Sequence, residues 1–104
     1  MVLSFTDKGI FCAAGGFFID PWRPVDKALI THGHSDHARP GHNSYLATEA
    51  AAPAIRHRLG VKVATMAFGE RRRIGEATVS FHPAGHVPGS AQIRVEGGGE
   101  VWVV

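Results

Sequence analysis

The sequence predicts an α/β fold in which several short strands accompany a single helix. Short apolar segments alternate with turns that contain glycine or proline along most of the chain, a pattern typical of strands. Residues 48–59 have the length, apolar spacing and end signals of a helix. Ala28, Leu29 and Ile30 form a continuous apolar run, which indicates a strand that is buried on both faces, as in sheets covered on both sides.

The first half of the chain is predicted to consist mainly of strands. A hairpin opens the chain, and Gly15-Gly16 provides the next turn before a strand that ends at Asp20. Pro21 and Pro24 lack backbone donors, so the chain is expected to leave the sheet between them. The predicted strands are residues 2–5, 9–12, 17–19, 27–31 and 45–47.

The second half begins with the predicted helix and returns to strands. Thr48 is the candidate N-cap, Gly60 is the candidate stop, and Ile55 and Leu59 would share the inner face. Pro53 makes an irregular first turn possible. The predicted strands are residues 61–66, 77–81, 91–95 and 101–104, with the glycines at 97–99 turning the last pair into a hairpin.

Composition limits the class of protein. The chain has 104 residues, of which 44% are hydrophobic and 19% charged, so it suits one small globular domain and is neither disordered nor fibrous. A net charge of +2 is compatible with a nucleic-acid partner without requiring one. The single cysteine, Cys12, excludes an internal disulfide and is expected to be a small buried side chain. The apolar run 10–19 is too short to span a membrane, and we expect a cytoplasmic protein.

The last residues predict that the domain is larger than this chain. Residues 101–104 are apolar and strand-like, and no turn, cap or polar tail follows them. We therefore expect the sequence to be a fragment of a larger domain.

The most informative segment is His32-Gly33-His34-Ser35-Asp36-His37, directly after the apolar strand. In an extended segment, residues two apart point to the same side, so His32 and His34 can reach one metal ion. Asp36 and His37 are adjacent, and both can face a second ion only if the backbone turns there. Four ligand-type residues within six positions are unlikely by chance, which favours a metal site.

A further nitrogen ligand has to come from a distant part of the sequence. His86 is the best candidate, because it follows a predicted strand and small residues and glycines flank it. Two metal ions about 3.5–4 Å apart can activate water at neutral pH and bind both oxygens of an in-line displacement. Imidazole and carboxylate ligands favour zinc, with manganese or iron as alternatives. The chain contains neither a G-x-S-x-G nor a P-loop motif that would indicate another chemistry.

The other conspicuous polar and aromatic residues have ordinary interpretations. His42 is expected to be structural or solvated, His57 to lie at the surface and His82 to be structural. The arginines at 71–73 are interpreted as a solvated turn rather than a phosphate site, because Glu70 and Glu76 flank them. Arg39, beside the histidine motif, is the better phosphate candidate. Trp22 is equally consistent with a packed wall residue and with a residue that stacks on a base.

The H-x-H-x-D-H segment, the earlier Asp20 and the later Gly85-His86-Val87-Pro88-Gly89-Ser90 resemble the metallo-β-lactamase superfamily. The resemblance implies an αββα sandwich. It also implies that His32, His34 and His86 bind one metal ion and that Asp36 and His37 bind the other. Asp20 would support the metal-binding histidines without binding a metal ion itself. The alternative interpretation of Asp20 is an ordinary turn residue before Pro21.

The flanking residues resemble the nucleic-acid-processing branch with a β-CASP domain, and within it the bacterial ligase-associated DNA exonucleases. The matching stretches are 15–21, 23–25, 31–42 and 84–91. This resemblance implies a 3′-exonuclease acting on DNA in repair, beside a DNA ligase and away from membranes. Members also have a bridging aspartate, a β-CASP insertion and a final histidine, none of which occurs in these 104 residues. The resemblance therefore implies that residues 1–104 are the N-terminal part of such a domain and have little or no activity on their own.

Three alternatives remain at this point. The protein could process RNA, it could hydrolyse small thioesters as glyoxalase II enzymes do, or it could be a catalytically silent fragment. The thioesterase reading expects Gly-Gly soon after the second-metal histidine, whereas Ala38-Arg39 follows His37 here.

Overall fold

The computed structural model describes the whole chain, Met1–Val104, as two sheets and one helix. Ten strands and the helix follow one another along the chain. They are β1 (Ser4–Thr6), β2 (Gly9–Cys12), β3 (Phe17–Ile19), β4 (Lys27–Leu29), β5 (Ser44–Thr48), α1 (Ala52–Leu59), β6 (Ala64–Met66), β7 (Arg72–Ile74), β8 (Ala77–Pro83), β9 (Ala91–Gly97) and β10 (Glu100–Val103).

The first sheet has six strands in the order β1-β2-β3-β4-β5-β6. The predicted first hairpin is confirmed by the antiparallel pairing of β1 with β2, and β3 pairs with β2 in the same sense. Strands β3 to β6 are parallel to one another. The carboxyl ends of β3, β4 and β5 therefore meet at one edge, which is where open α/β sheets place their ligand sites.

The second sheet is antiparallel, with the order β10-β9-β8-β7. Its long central pair, β8 and β9, runs in register from Thr78 opposite Glu96 to Pro83 opposite Ala91. Gly98 and Gly99 both have positive φ between β9 and β10, which confirms the predicted glycine hairpin.

Two apolar layers hold these elements together. The larger cluster lies between the sheets and joins Phe17, Ile19 and Leu29 to Val79 and Phe81. The second cluster lies between the first sheet and α1, where Ala28 and Ile30 pack with Ile55. Leu29 thus faces one layer while its two neighbours face the other. This confirms the prediction that the strand is buried on both faces.

The helix begins later than its sequence pattern indicates. Thr48 is the last residue of β5, so its predicted role as N-cap is wrong, and the N-cap position is Ala51. Its hydroxyl still accepts a hydrogen bond from the Ala51 N–H at 3.1 Å, because a short turn links the strand to the helix. The helix ends as predicted at Gly60, whose φ of +66° suits glycine.

The arginine-rich segment is a strand and not the predicted turn. Arg72 and Arg73 lie in β7, which pairs with β8. Their charges are satisfied locally, since Arg72 contacts Glu70 at 2.8 Å and Arg73 contacts Glu76 at 3.1 Å. These neighbouring carboxylates agree with the expectation that the segment is no phosphate site.

No helix of the chain is long and apolar enough to cross a membrane.

His42 is buried, although it follows the histidine motif closely in sequence. Its Nδ1 accepts a hydrogen bond from the Val25 N–H at 3.2 Å, its ring packs on Tyr45, and its Nε2 has no partner. Burial lowers the pKa of His42 from its ordinary value of 6.5. The side chain therefore belongs to the core beside the site, as the structural interpretation predicted.

We expect acid to destabilise the fold in part through His42. Because the folded-state pKa lies below the unfolded one, the unfolded chain binds the proton more readily. The contribution of neutral His42 to stability is thus complete above pH 6.5 and is lost as the pH falls toward the folded pKa. Urea unfolding at pH 7.5 and 5.5 measures this, and His42→Gln should show a smaller loss than the parent. An equal loss in both proteins would contradict the assignment.

Candidate metal centre

Segments from both sheets meet at the carboxyl edge of the first sheet. The motif residues 32–37 follow β4, and Asp20 follows β3. The loop that carries His86 joins β8 to β9 in the other sheet. The Ala91 N–H donates to the Thr31 carbonyl at 2.8 Å, and this hydrogen bond ties the beginning of β9 to the residue before His32.

His32, His34 and His86 form a compact group, which we call the histidine triangle. One ligand nitrogen from each lies within 4.8 Å of the other two. The ring centroids are 4.8 Å apart for His32 and His34, 5.0 Å for His32 and His86, and 5.1 Å for His34 and His86. The structure therefore brings together three residues that the sequence predicted as one ligand set, although 52 positions separate His34 from His86 (86 − 34).

The donors of the histidine triangle fit a zinc ion. Nitrogen ligands about 2.0–2.1 Å from a tetrahedral ion lie roughly 3.4 Å from one another, so small rotations of these rings suffice. Burial, followed by the charge of His37, lowers the pKa of His32 from 6.5. The neutral imidazole that a metal requires is then the prevailing form at neutral pH. Three nitrogens leave a fourth position open, as catalytic sites need.

Ser90 shapes the loop that presents His86. Its buried hydroxyl accepts hydrogen bonds from the backbone N–H groups of His86 at 3.1 Å and Val87 at 3.2 Å. The loop also closes through the Ala84 N–H to the Ser90 carbonyl at 3.1 Å. Ser90 belongs to the motif that carries His86, but the sequence assigned it no role.

Thr48 joins this loop to the beginning of α1. Its hydroxyl donates to the Gly89 carbonyl at 2.7 Å while it accepts from the Ala51 N–H. Gly89 has φ +81°, and a Cβ on it would lie 2.4 Å from the Ala51 nitrogen. Only glycine permits this approach, so the position of His86 depends on contact between two backbones.

Asp20 orients His37. One carboxylate oxygen lies 2.8 Å from His37 Nδ1 and accepts from the Thr31 hydroxyl at 2.5 Å, and the other accepts from the Thr31 N–H at 2.8 Å. A carboxylate can only accept, so the Nδ1 of His37 carries the proton and Nε2 is left free for a metal. Asp20 has φ +45°, a left-handed conformation that aspartate tolerates better than most residues.

Asp36 and His37 form a second group of donors beside the histidine triangle. The backbone turns here as required, because the N–H groups of His37 and Ala38 both donate to the His34 carbonyl. His37 Nε2 then lies 3.6 Å from the Asp36 carboxylate, and the His37 ring centroid is 4.0 Å from that of His32. The Asp36 side chain is 73% exposed and can still move toward an ion.

Arg58 braces the motif from α1, a role that the sequence did not indicate. Its Nε donates to the Gly33 carbonyl at 3.1 Å, and a terminal nitrogen donates to the Ala38 carbonyl. These two carbonyls lie on either side of the motif's turn. A residue of the helix thus holds the loop that carries His34, Asp36 and His37.

The remaining candidates lie outside these contacts. Arg39 is exposed and its side chain makes no hydrogen bond or ion pair, while its carbonyl accepts from the Tyr45 hydroxyl at 2.6 Å. Trp22 is half-exposed and donates through its indole to the Asp7 carbonyl at 2.7 Å. His57 is exposed on α1, and His82 bonds to Ser80 on β8 at 2.9 Å.

Asp20→Asn should weaken metal binding at Asp36 and His37 about 10- to 100-fold while the histidine triangle keeps its ion. The asparagine amide offers one neutral oxygen acceptor where the carboxylate offers two charged ones, so the His37 ring is oriented less firmly. Titration with cobalt or zinc, monitored by calorimetry, would distinguish the metal ion that binds more tightly from the one that binds more weakly. Asp26→Asn, which alters an exposed carboxylate outside the site, is the matched control. If the affinity for the more weakly bound ion were unchanged in Asp20→Asn, the proposed role of Asp20 would be refuted.

The chain is similar to solved metallo-β-lactamase structures. A HARLDQ-motif mutant of the metallo-β-lactamase of Cronobacter sakazakii superposes with a TM-score of 0.69 at 15% identity, over 97% of this chain and 53% of that one. A subclass B3 enzyme of Bradyrhizobium japonicum gives 0.57 at 18% identity, over 97% and 52%. A diiron β-hydroxylase of Streptomyces venezuelae gives 0.55 at 17% identity, over 75% and 19%. The fold is the metallo-β-lactamase fold, and the chain spans about half of the two lactamases.

One curated protein is similar in sequence. A probable DNA ligase of Opitutus terrae is 32% identical over 93 residues, which are 86% of this chain and 9% of that protein. The similarity thus concerns a small part of a much longer protein. No protein-family model matches the chain.

Proposed function

We propose that the protein is a metal-dependent nuclease that hydrolyses phosphodiester bonds, with DNA favoured over RNA. The observation that carries the proposal is the histidine triangle, with Asp36 and His37 directly beside it. The preference for DNA rests on the similarity to a stretch of a protein named a probable DNA ligase. Within this class we propose an exonuclease that acts beside a DNA ligase in repair, an assignment that rests on the resemblance of residues 31–42 and 84–91 to ligase-associated DNA exonucleases.

Each side chain has a defined part in this proposal. His32, His34 and His86 hold one ion, and Asp36 and His37 hold the other, with zinc as the first choice and manganese or iron as alternatives. When bound, the ions supply Lewis acidity and make a water nucleophile available at neutral pH. Asp20 keeps the proton of His37 on Nδ1, away from the ions. Arg39 follows the motif with an unpaired guanidinium, and it is the proposed phosphate contact.

Degradation assays test the substrate class. The intact, metal-loaded protein should shorten end-labelled single- or double-stranded DNA and should lose this activity in the presence of a chelator, whereas residues 1–104 alone are expected to be inactive. His32→Ala combined with His34→Ala is the matched negative control. Faster degradation of RNA would favour an RNA-processing nuclease instead. Turnover of a glutathione thioester in place of nucleic acid would overturn the proposal.

A further inference from the structure

A cleft lies beside the histidine triangle and shares His34 with it. It has a volume of about 380 Å³, and His34 and Gly33 form the part that borders the triangle. The beginning of α1 contributes Pro53 and Ala54, and the His86 loop contributes Val87 and Pro88. Ala50 and Ala51 complete the lining of eight residues, and we call the cleft that they form the base cleft. Its volume lies within the range of small-molecule sites.

We propose that the base cleft receives the base of the nucleotide whose phosphate is bound at the metal centre, and that it does so without selecting among the four bases. This inference rests on the proposed function, because it assumes a phosphate at the histidine triangle. A nucleotide joins its phosphate to a flat base through one sugar. An apolar cleft that shares His34 with the triangle is therefore placed to take the base.

The lining explains why the cleft should suit a base. Two proline rings, a valine and three alanines present apolar surface, against which the faces of a base can be removed from water. No aspartate or glutamate lines the cleft, so a phosphate close by meets no repulsion from its walls. The side chains at the beginning of α1 are also small, which leaves the space open.

The same lining explains the lack of selectivity. Bases are distinguished by hydrogen bonds to their edges, and such readout needs polar side chains. His34 is the polar side chain of the lining, and it is committed to the histidine triangle. Apolar contact with a base face is available to all four bases alike. A nuclease that degrades DNA of any sequence requires this tolerance.

The walls of the base cleft are held firmly relative to each other. Thr48 bonds to Gly89 at 2.7 Å, and Gly89 lies against the backbone of Ala50 and Ala51. Arg58 ties α1 to the carbonyl of Gly33 at 3.1 Å. Each of the three segments that line the cleft is therefore fixed to another, and the cleft exists before a ligand binds.

Calorimetric binding to the zinc-loaded protein tests this inference. Four deoxynucleoside monophosphates, deoxyribose 5-phosphate and inorganic phosphate are the ligands. We expect the four nucleotides to bind within about threefold of one another and about tenfold more tightly than the sugar phosphate. Ala54→Leu should abolish the tenfold advantage and leave sugar phosphate binding unchanged. Ala54 is exposed on a helix, where leucine is well tolerated.

Two further variants keep the test decisive. Ala50→Leu fills the cleft from outside the helix and should act as Ala54→Leu does, whereas His57→Leu, one turn along α1 and outside the lining, should change nothing. Equal affinity for nucleotide and sugar phosphate, or a tenfold preference for one base, would contradict the proposal that the base cleft binds any of the four bases. Nuclease activity without tighter binding of nucleotides would contradict this proposal and leave the proposed function intact. Nucleotide binding that is sensitive to Ala54→Leu, in an intact protein without any nuclease activity, would contradict the proposed function instead.

Discussion

Replacing His32 and His34 together by alanine is expected to abolish tight zinc binding. Two of the three nitrogens of the histidine triangle disappear, and His86 alone cannot hold the ion. The loss should amount to several orders of magnitude in affinity, because structural and catalytic zinc sites depend on the full ligand set. Metal analysis after dialysis, together with competition against a coloured chelator, measures the change.

The control for this double variant is His57→Ala. His57 is an exposed histidine on α1 that makes no contact with the triangle, so its replacement should leave zinc content unchanged. If the double variant retained as much zinc as the parent protein, the metal site would have to lie elsewhere. A circular dichroism spectrum that matches the parent would show that the loss is local.

Gly89→Ala is expected to produce the largest loss of stability among single changes near the site. The new Cβ would lie 2.4 Å from the Ala51 nitrogen and 2.6 Å from the Ala50 carbonyl carbon. Both atoms belong to the backbone, so no rotation of a side chain relieves the overlap. Together with the strain of a positive φ, the cost should exceed about 3 kcal/mol in the free energy of unfolding.

Gly85→Ala is the matched control, because it isolates the overlap from the backbone strain. Gly85 lies in the same loop with φ +72°, and no atom lies within 4 Å of a Cβ placed there. It should cost about 1 kcal/mol. Denaturant unfolding compares the two, and zinc affinity should fall in Gly89→Ala because the loop carries His86. Equal stability of the two variants would show that the loop does not depend on the contact with Ala50 and Ala51.

The candidate metal ligands were accessible from sequence because their spacing depends on local chemistry. Histidines two positions apart face the same side in an extended segment, and a carboxylate with another histidine follows at once. The two-faced burial of β4 was equally accessible, since a continuous apolar run needs a covering on each side. His86 was inferred from its place after a predicted strand and between small residues, and the resemblance added Asp20, which no local pattern connects to the motif.

The tertiary structure decided what no local pattern records. Thr48 was assigned to the helix because its sequence resembles an N-cap, yet its hydroxyl bonds to Gly89, 41 positions away. Arg72 and Arg73 were interpreted as part of a solvated turn because Glu70 and Glu76 flank the arginines, yet both residues pair with β8 as the strand β7. Arg58 has the pattern of a solvated helix residue but holds the carbonyls of the motif. Sequence spacing specifies which side chains can bind a metal, whereas the packing of two sheets and a helix specifies where their backbones are held.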